Sequence, residues 1–487
     1  MLSEKSTVIK SLVLKFLERI SYQGIAFIVQ LVLARILDPS DFGVITMLTV
    51  FIEVSQVFVQ SGLNTALVQR KDTTENDYSS VFWVSLMMAI ALYGILFVAS
   101  PFISTFYKMP ELNDVLRVLA LVLIPGAFNS IQNAKVQREM KFKQLLCCTL
   151  ISVIISGAVG VTLAYMGFRY WAIVGQQLTN RIVVSILLML FIKWKPRFIF
   201  ELERVKVMFS FGWKLLCSSL IDTLYRNLQN LVVGKKYDSS TLGYYNRGNQ
   251  FPNVIISNVN GSIQTVMLPT LAKHQDDKQK MKSIMRRSIV TSSFIIFPLC
   301  VGLAVTANAM ISLILTDKWL PCVPYLQAYC FIYAFWPVHT ANLQAINAQG
   351  RSDWFLRLEI IKKAIGITTL IITVLCFKTP LAIVLGQCFT TLVSCFINAY
   401  PNKKLLNYGY GEQMKDIIPS LCIAVAMGIC VLTVSLLHLV NWLTLLIQIV
   451  VGIAVYIVLA ELIRLECYMY LKQMIMKFVK SKKRKRV

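Results

Sequence analysis

The chain has 487 residues, of which 56% are hydrophobic and only 15% charged, well below the about 25% charge of ordinary soluble domains. Apolar runs of about 20 residues recur throughout, each long enough to cross a ~30 Å hydrocarbon layer, and they exclude a soluble globular fold. A formal net charge of +25 points to nucleic acid in a soluble protein but to topology in a membrane one, so the placement of the charges decides.

In chain order the runs predict an all-α polytopic membrane protein of about 14 transmembrane helices. The first six spans fall near 11–35, 42–68, 78–106, 112–134, 144–167 and 170–192. The next six fall near 207–234, 241–271, 283–316, 320–348, 354–377 and 380–401, and a further pair near 414–437 and 441–463. This reading divides the chain into a six-helix bundle (1–193), a basic cytoplasmic linker (194–206), a second six-helix bundle (207–404), an additional helix pair (405–470) and a basic cytoplasmic tail (471–487). No small-residue cleavage site follows the first apolar run, which is expected to be a retained helix rather than a signal peptide.

The two bundles are expected to be related. Residues 31–70 laid over 231–270 without a gap share nine identities: Leu31, Val32, Asp38, Ser40, Gly43, Phe51, Val54, Val59 and Thr65. The match includes a turn, Asp38-Pro39-Ser40-Asp41-Phe42-Gly43 against Asp238-Ser239-Ser240-Thr241-Leu242-Gly243, placed alike between apolar runs. A repeat of this kind determines architecture before any motif does.

Lys and Arg collect in the segments that face the cytoplasm if the N-terminus does, ending in Lys482, Lys483, Arg484, Lys485 and Arg486. The outer loops then hold Arg35, Lys108, Arg169, Lys235, Lys236, Lys318 and Lys378. Cytoplasmic loops carry this excess in membrane proteins, so both termini are expected inside. The basic excess is a topology signal, with anionic lipid headgroups as an added partner for the tail; no nucleic acid is expected.

No stretch between spans has room for a soluble catalytic or nucleotide-binding domain. No Gly-x-x-x-x-Gly-Lys-Ser/Thr phosphate loop occurs. His274, His339 and His438 are far apart, and the twelve cysteines are scattered. No catalytic residue, cofactor or metal site is therefore expected, and transport is the class that remains.

Ionisable residues inside spans carry the functional reading, because each costs at least ~2.5–3.5 kcal/mol at the bilayer centre unless paired or wet. Glu53 and Arg181 both lie about twelve residues in from the outer ends of their spans, hence at similar depth. They form either a structural ion pair or charges facing a central cavity. Asp222 and Arg226 stand one helical turn apart on one face. Arg226 is then either self-neutralised or the binding group for an anionic headgroup, with Asp222 holding it or titrating and Tyr225, Asn227 and Asn230 adding hydrogen bonds. Lys15, Arg19, Lys214, Lys362 and Lys363 lie one to two turns from the cytoplasmic face; singly they snorkel, together they form a basic entrance. Arg117 and Arg247 are expected at the outer interface. In Trp336-Pro337-Val338-His339-Thr340-Ala341-Asn342-Leu343-Gln344 a helix breaker sits among polar side chains, which either a hydrated cavity or helix packing satisfies.

Several motifs carry a family resemblance. They are Leu33-Ala34-Arg35-Ile36-Leu37-Asp38-Pro39-Ser40-Asp41-Phe42-Gly43, Gly62-Leu63-Asn64-Thr65-Ala66-Leu67-Val68-Gln69-Arg70-Lys71-Asp72, Arg226-Asn227-Leu228-Gln229-Asn230, Leu242-Gly243-Tyr244-Tyr245-Asn246-Arg247 and Lys318-Trp319-Leu320-Pro321. With them the chain resembles Wzx-type polysaccharide exporters of the multidrug/oligosaccharidyl-lipid/polysaccharide (MOP) superfamily, nearest to the colanic-acid and teichuronic-acid branch. Gln229 departs from the acidic residue expected at its position.

The resemblance implies two six-helix bundles around a central cavity, no enzymatic activity, and a flippase in the bacterial cytoplasmic (inner) membrane. The implied cargo is a polyprenyl-pyrophosphate-linked oligosaccharide moved from inner to outer leaflet by alternating access. Its neighbours are membrane lipid, a polysaccharide polymerase and glycosyltransferases. On this reading Lys15, Arg19 and Lys214 collect the headgroup, and Arg226, with Arg181, holds the pyrophosphate through bidentate contacts. Asn230 lends hydrogen bonds, and Asp222 or Glu53 couples to an ion. A drug or cation antiporter of the same superfamily and a non-transporting scaffold are the alternatives.

Overall fold

A computed structural model describes residues 2–476 except Ser61, Lys71, His438, Leu471, Met474 and Ile475. The expected basic tail from Lys482 to Arg486 lies outside the described residues. Among the described residues the chain is helical with no strand. The helices are α1 (Leu2–Ile36), α2 (Pro39–Gln60), α3 (Leu63–Gln69), α4 (Glu75–Tyr107), α5 (Leu112–Leu119), α6 (Leu123–Arg138), α7 (Phe142–Tyr165), α8 (Tyr170–Ile192) and α9 (Leu202–Lys236). They continue with α10 (Ser239–Ala272), α11 (Lys278–Leu315), α12 (Val323–Ala334), α13 (Trp336–Ala348), α14 (Ser352–Cys376), α15 (Leu381–Leu406), α16 (Tyr410–Ser435) and α17 (Asn441–Leu462).

Ten of the described helical segments are long and apolar enough to cross a membrane, eleven with the bent α9 counted. Ile90, Ile95, Val98 and Phe102 on α4 are among many large apolar side chains left exposed, as a helix facing lipid requires. The protein is a multi-pass membrane protein. The other expected spans fall on α10, on α14, and on α12 with α13. These are polar in part or broken, and their crossing is a proposal.

Two units emerge, Met1–Gly243 and Tyr244–Val487. In the first, α7 packs along α8 and α1, and α2 packs along α9. An apolar cluster of Leu63, Leu67, Phe82, Leu188, Trp194 and Met208 holds one end together, with Phe82 edge-on to Phe128 at 4.6 Å. The segment after α8, expected as a cytoplasmic linker, is strapped along α4. Ser79 Oγ accepts from the Arg197 N–H at 3.0 Å, and Ser80 Oγ accepts from the Glu201 N–H at 3.0 Å. Thr74 and Asp77 form a reciprocal capping box at the start of α4, satisfying backbone donors the helix leaves open. Arg204 ties α9 to that cap through Asp77 at 3.0 Å.

The repeated turns meet within this unit. A Cβ on Gly43 would stand 1.8 Å from the Ser239 carbonyl oxygen, and one on Gly243 2.1 Å from that of Pro39. The contact is reciprocal, and only glycine permits so close an approach of backbones.

In the second unit α11 is the centre, packed by α12, α13, α16 and α17, while α14 pairs with α15. Pro337 sits in the first turn of α13, after a break at Phe335. Its missing N–H is one the helix would have left unpaired anyway. Among the polar residues that follow it, Asn342 is satisfied by packing, fully buried and bonded to Gln413 at 2.8 Å, while the buried Gln344 amide oxygen has no hydrogen-bond partner among the described residues. Arg247, expected at the interface, is buried instead, with its guanidinium 4.9 Å from the Trp319 ring centroid. Stacking on an aromatic face replaces part of the hydration that the charge loses.

Candidate functional site

Within the first unit α1, α2, α7, α8 and the turn before α6 line a half-open cavity of about 330 Å³. The lining residues recur at helical spacing: Tyr22, Ala26 and Gln30 on α1; Thr49, Glu53 and Gln56 on α2; Gln176, Gln177, Asn180 and Arg181 on α8. Steps of three and four place them on one stripe of each helix.

The structure thus brings Glu53 and Arg181 to one cavity, and among the described residues no other charged side chain lines it. Among the described residues no ion pair joins the two. Glu53 Oε2 instead accepts a hydrogen bond from Asn227 Nδ2 at 2.7 Å. That bond crosses from α2 to α9 and is made by an almost fully buried asparagine. Arg181 is fixed through its backbone, where Asn129 Nδ2 donates to its carbonyl at 3.2 Å.

The cavity's amides behave unequally. Gln30 Nε2 donates to Gln176 Oε1 at 3.3 Å, tying α1 to α8. Asn180 Nδ2 reaches Ser156 Oγ at 3.3 Å. Gln56 and Gln177 make no hydrogen bond among the described residues. Gln56 lies against bare backbone, since a Cβ on Gly126 would come 2.8 Å from its Oε1. These amides are the part of the site that the search for charges passed over, although Gln176-Gln177-x-x-Asn180-Arg181 carries the spacing that marks it.

Helix α9 carries the second part. It bends by 53° between Ser210 and Gly212. The bend packs on Gly62, whose φ of 65° and missing side chain admit the Gly212 carbonyl; a Cβ there would stand 2.3 Å from its oxygen. Beyond the bend Arg226 pairs with Asp222 at 2.8 Å, and the side chains are 70% and 48% exposed. This is the i, i+4 pair expected from the sequence, on a face open to its surroundings. Asn230 Nδ2 reaches Asn227 Oδ1 at 3.5 Å, a long contact. Lys214 is exposed on the same helix. On α1, Lys15 pairs with Glu18 at 2.9 Å, and Arg19 is exposed. Lys362, in the second unit, is taken up by Glu359 at 2.5 Å.

The arrangement offers two chemistries. The cavity presents amide donors and acceptors with balanced charge. The exposed face of α9 presents a guanidinium whose ionic partner, Asp222, is itself half exposed, suited to exchange one anion for another.

Comparisons with known proteins agree on the lineage. The profile of the family described as "Polysaccharide biosynthesis protein" matches residues 32–324. The teichuronic acid biosynthesis protein TuaB of Bacillus subtilis is 26% identical over 61% of this chain and 62% of its own, so the match spans about three fifths of that relative. The lipopolysaccharide biosynthesis protein WzxC of Escherichia coli is 25% identical over 83% of this chain and 84% of its own. Among solved structures, the lipid II flippase MurJ in an inward closed conformation aligns with a TM-score of 0.74 at 16% identity, covering 93% of this chain and 98% of MurJ. At that identity the likeness is one of fold.

Proposed function

The chain belongs to the polysaccharide biosynthesis protein family, and we propose that it is a flippase. Its cargo is a polyprenyl-pyrophosphate-linked oligosaccharide repeat unit. It carries the unit from the inner to the outer leaflet of the bacterial cytoplasmic membrane by alternating access, for surface or exopolysaccharide synthesis. No covalent bond is made or broken. Glycosyltransferases supply the lipid-linked unit and a polymerase consumes it; both termini lie in the cytoplasm.

One observation carries this reading: Arg226, in the apolar half of a helix, holds its guanidinium 70% exposed against a half-exposed Asp222. A guanidinium so exposed, beside a carboxylate that is itself half exposed, can take up a second anion in place of the first. A pyrophosphate takes two parallel N–H bonds from a guanidinium, which an ammonium cannot supply. Lys15, Arg19 and Lys214 gather the headgroup from the inner leaflet, and Arg226 takes it over while Asp222 keeps the guanidinium in position. Asp222 or Glu53 couples the cycle to an ion, or the anion responds to membrane potential at ~2.3 kcal/mol per charge per 100 mV.

The test is translocation of a fluorescent polyprenyl-pyrophosphate disaccharide in proteoliposomes. The unaltered chain should move it, Arg226→Ala should move it at least tenfold more slowly, and Arg226→Lys should recover only part of the rate. Equal rates for all three would remove Arg226 from the site, and no transport by the unaltered chain would overturn the flippase reading.

A further inference from the structure

We propose that the cavity of the first unit is a saccharide subsite, which takes a pyranose of the cargo while the pyrophosphate stays with Arg226. The proposal rests on the flippase reading and divides its cargo between two places. Three features of the cavity support it.

The first is charge. Glu53 and Arg181 balance each other in the lining, so a pyrophosphate with two or more negative charges would gain Arg181 only by facing Glu53. A neutral polyol meets no such opposition. This moves Arg181 from the phosphate, where the resemblance placed it, to the sugar.

The second is hydrogen-bonding inventory. A pyranose offers a ring of hydroxyls, each donor and acceptor at once, and primary amides offer both functions in fixed geometry. Five amide side chains line this one cavity. Gln56 and Gln177 among them are unengaged by the described protein. Amides in a transmembrane bundle ordinarily bond across helices, so two left open mark capacity held for something else. Tyr22 adds a ring against which the C–H face of a sugar packs.

The third is size. About 330 Å³ lies at the lower end of the ~300–1,000 Å³ of small-molecule sites, room for roughly one or two pyranose rings and too little for a whole repeat unit. The subsite therefore reads a single sugar.

The experiment uses the full chain in nanodiscs and four fluorescent polyprenyl pyrophosphates: bare, or carrying one glucose, galactose or N-acetylglucosamine. At least one sugar should tighten binding about tenfold over the bare lipid. Gln56→Leu with Gln177→Leu should abolish that increment and leave the bare lipid's affinity unchanged, whereas Arg226→Ala should weaken all four lipids alike. Each single Leu variant, read the same way, should lose part of the increment and guards against a double variant that does not fold. The proposal falls if no sugar improves on the bare lipid, or if the glutamine variants weaken the bare lipid as much as the glycosylated ones. If none of the four lipids binds, the flippase reading fails and the subsite with it.

Discussion

Two clusters of amides, one in each unit, stand in opposite states. In the second unit Asn342, Asn402 and Gln413 are fully buried and bonded to one another. Asn342 Nδ2 donates to Gln413 Oε1 at 2.8 Å, Gln413 Nε2 returns to Asn342 Oδ1 at 3.0 Å, and Asn402 Nδ2 reaches the same oxygen at 2.8 Å. Three helices, α13, α15 and α16, are joined by that knot. In the first unit Gln56 and Gln177 face a cavity with their amides open. Residue type alone does not separate a structural polar group from a binding one in an apolar bundle. What separates them is whether the protein meets their hydrogen bonds itself.

Substitutions at the two places should therefore diverge. Asn342→Leu strips partners from Gln413 and Asn402, and each buried group left unpaired costs about 1–3 kcal/mol. Its melting temperature should fall by many degrees, measured by thermal unfolding in detergent, while Gln56→Leu should melt like the unaltered protein. If both melt alike, the distinction fails. An intermediate case lies inside the first unit, where Glu53 is bonded although it lines the cavity. Glu53→Leu takes from the buried Asn227 one of its two acceptors, leaving the Thr223 carbonyl at 3.1 Å, and should lower the melting temperature by less than Asn342→Leu. Glu53→Gln keeps an acceptor for Asn227 and should restore the melting temperature. A transport rate that stays low in Glu53→Gln would separate the role of the charge from that of the bond.

The same contrast explains what could be read in the sequence. Glu53 and Arg181 stand out because a charge in lipid carries a large cost, and the structure brings both to one cavity. Amides carry less cost and leave a weaker mark, so Gln56 and Gln177 emerge only once helix faces are known. The repeat was legible through Gly43 and Gly243 because close backbone contact tolerates no side chain there. Arg247 was misplaced because its position near a helix end suggests an interface, whereas the aromatic face that buries it, Trp319, lies 72 residues away in sequence. Around Pro337 a hydrated cavity and helix packing both stay open in the sequence, because a helix breaker among polar side chains looks the same whichever of them meets the freed hydrogen bonds.

The smallest effect expected is outside the apolar interior, where the knot of the second unit continues outward. Tyr408 donates to Asp416 at 2.6 Å, Asp416 pairs with Arg286 at 2.9 Å, and Arg286 pairs with Glu466 beyond α17 at 2.8 Å. The Arg286 guanidinium beside Glu466 holds its carboxyl below the usual range. A depressed folded pKa means stability that is present above the unfolded value, near ~4.3, and lost as pH falls through the folded one. Glu466 is largely exposed, so solvent screening keeps the gain to a fraction of a kcal/mol. Between pH 5 and 3 the unaltered protein should lose slightly more thermal stability than Glu466→Gln, by about a degree. Raising the salt should erase that difference while leaving the cost of Asn342→Leu in place, because exposed ion pairs are screened and buried amide bonds are not.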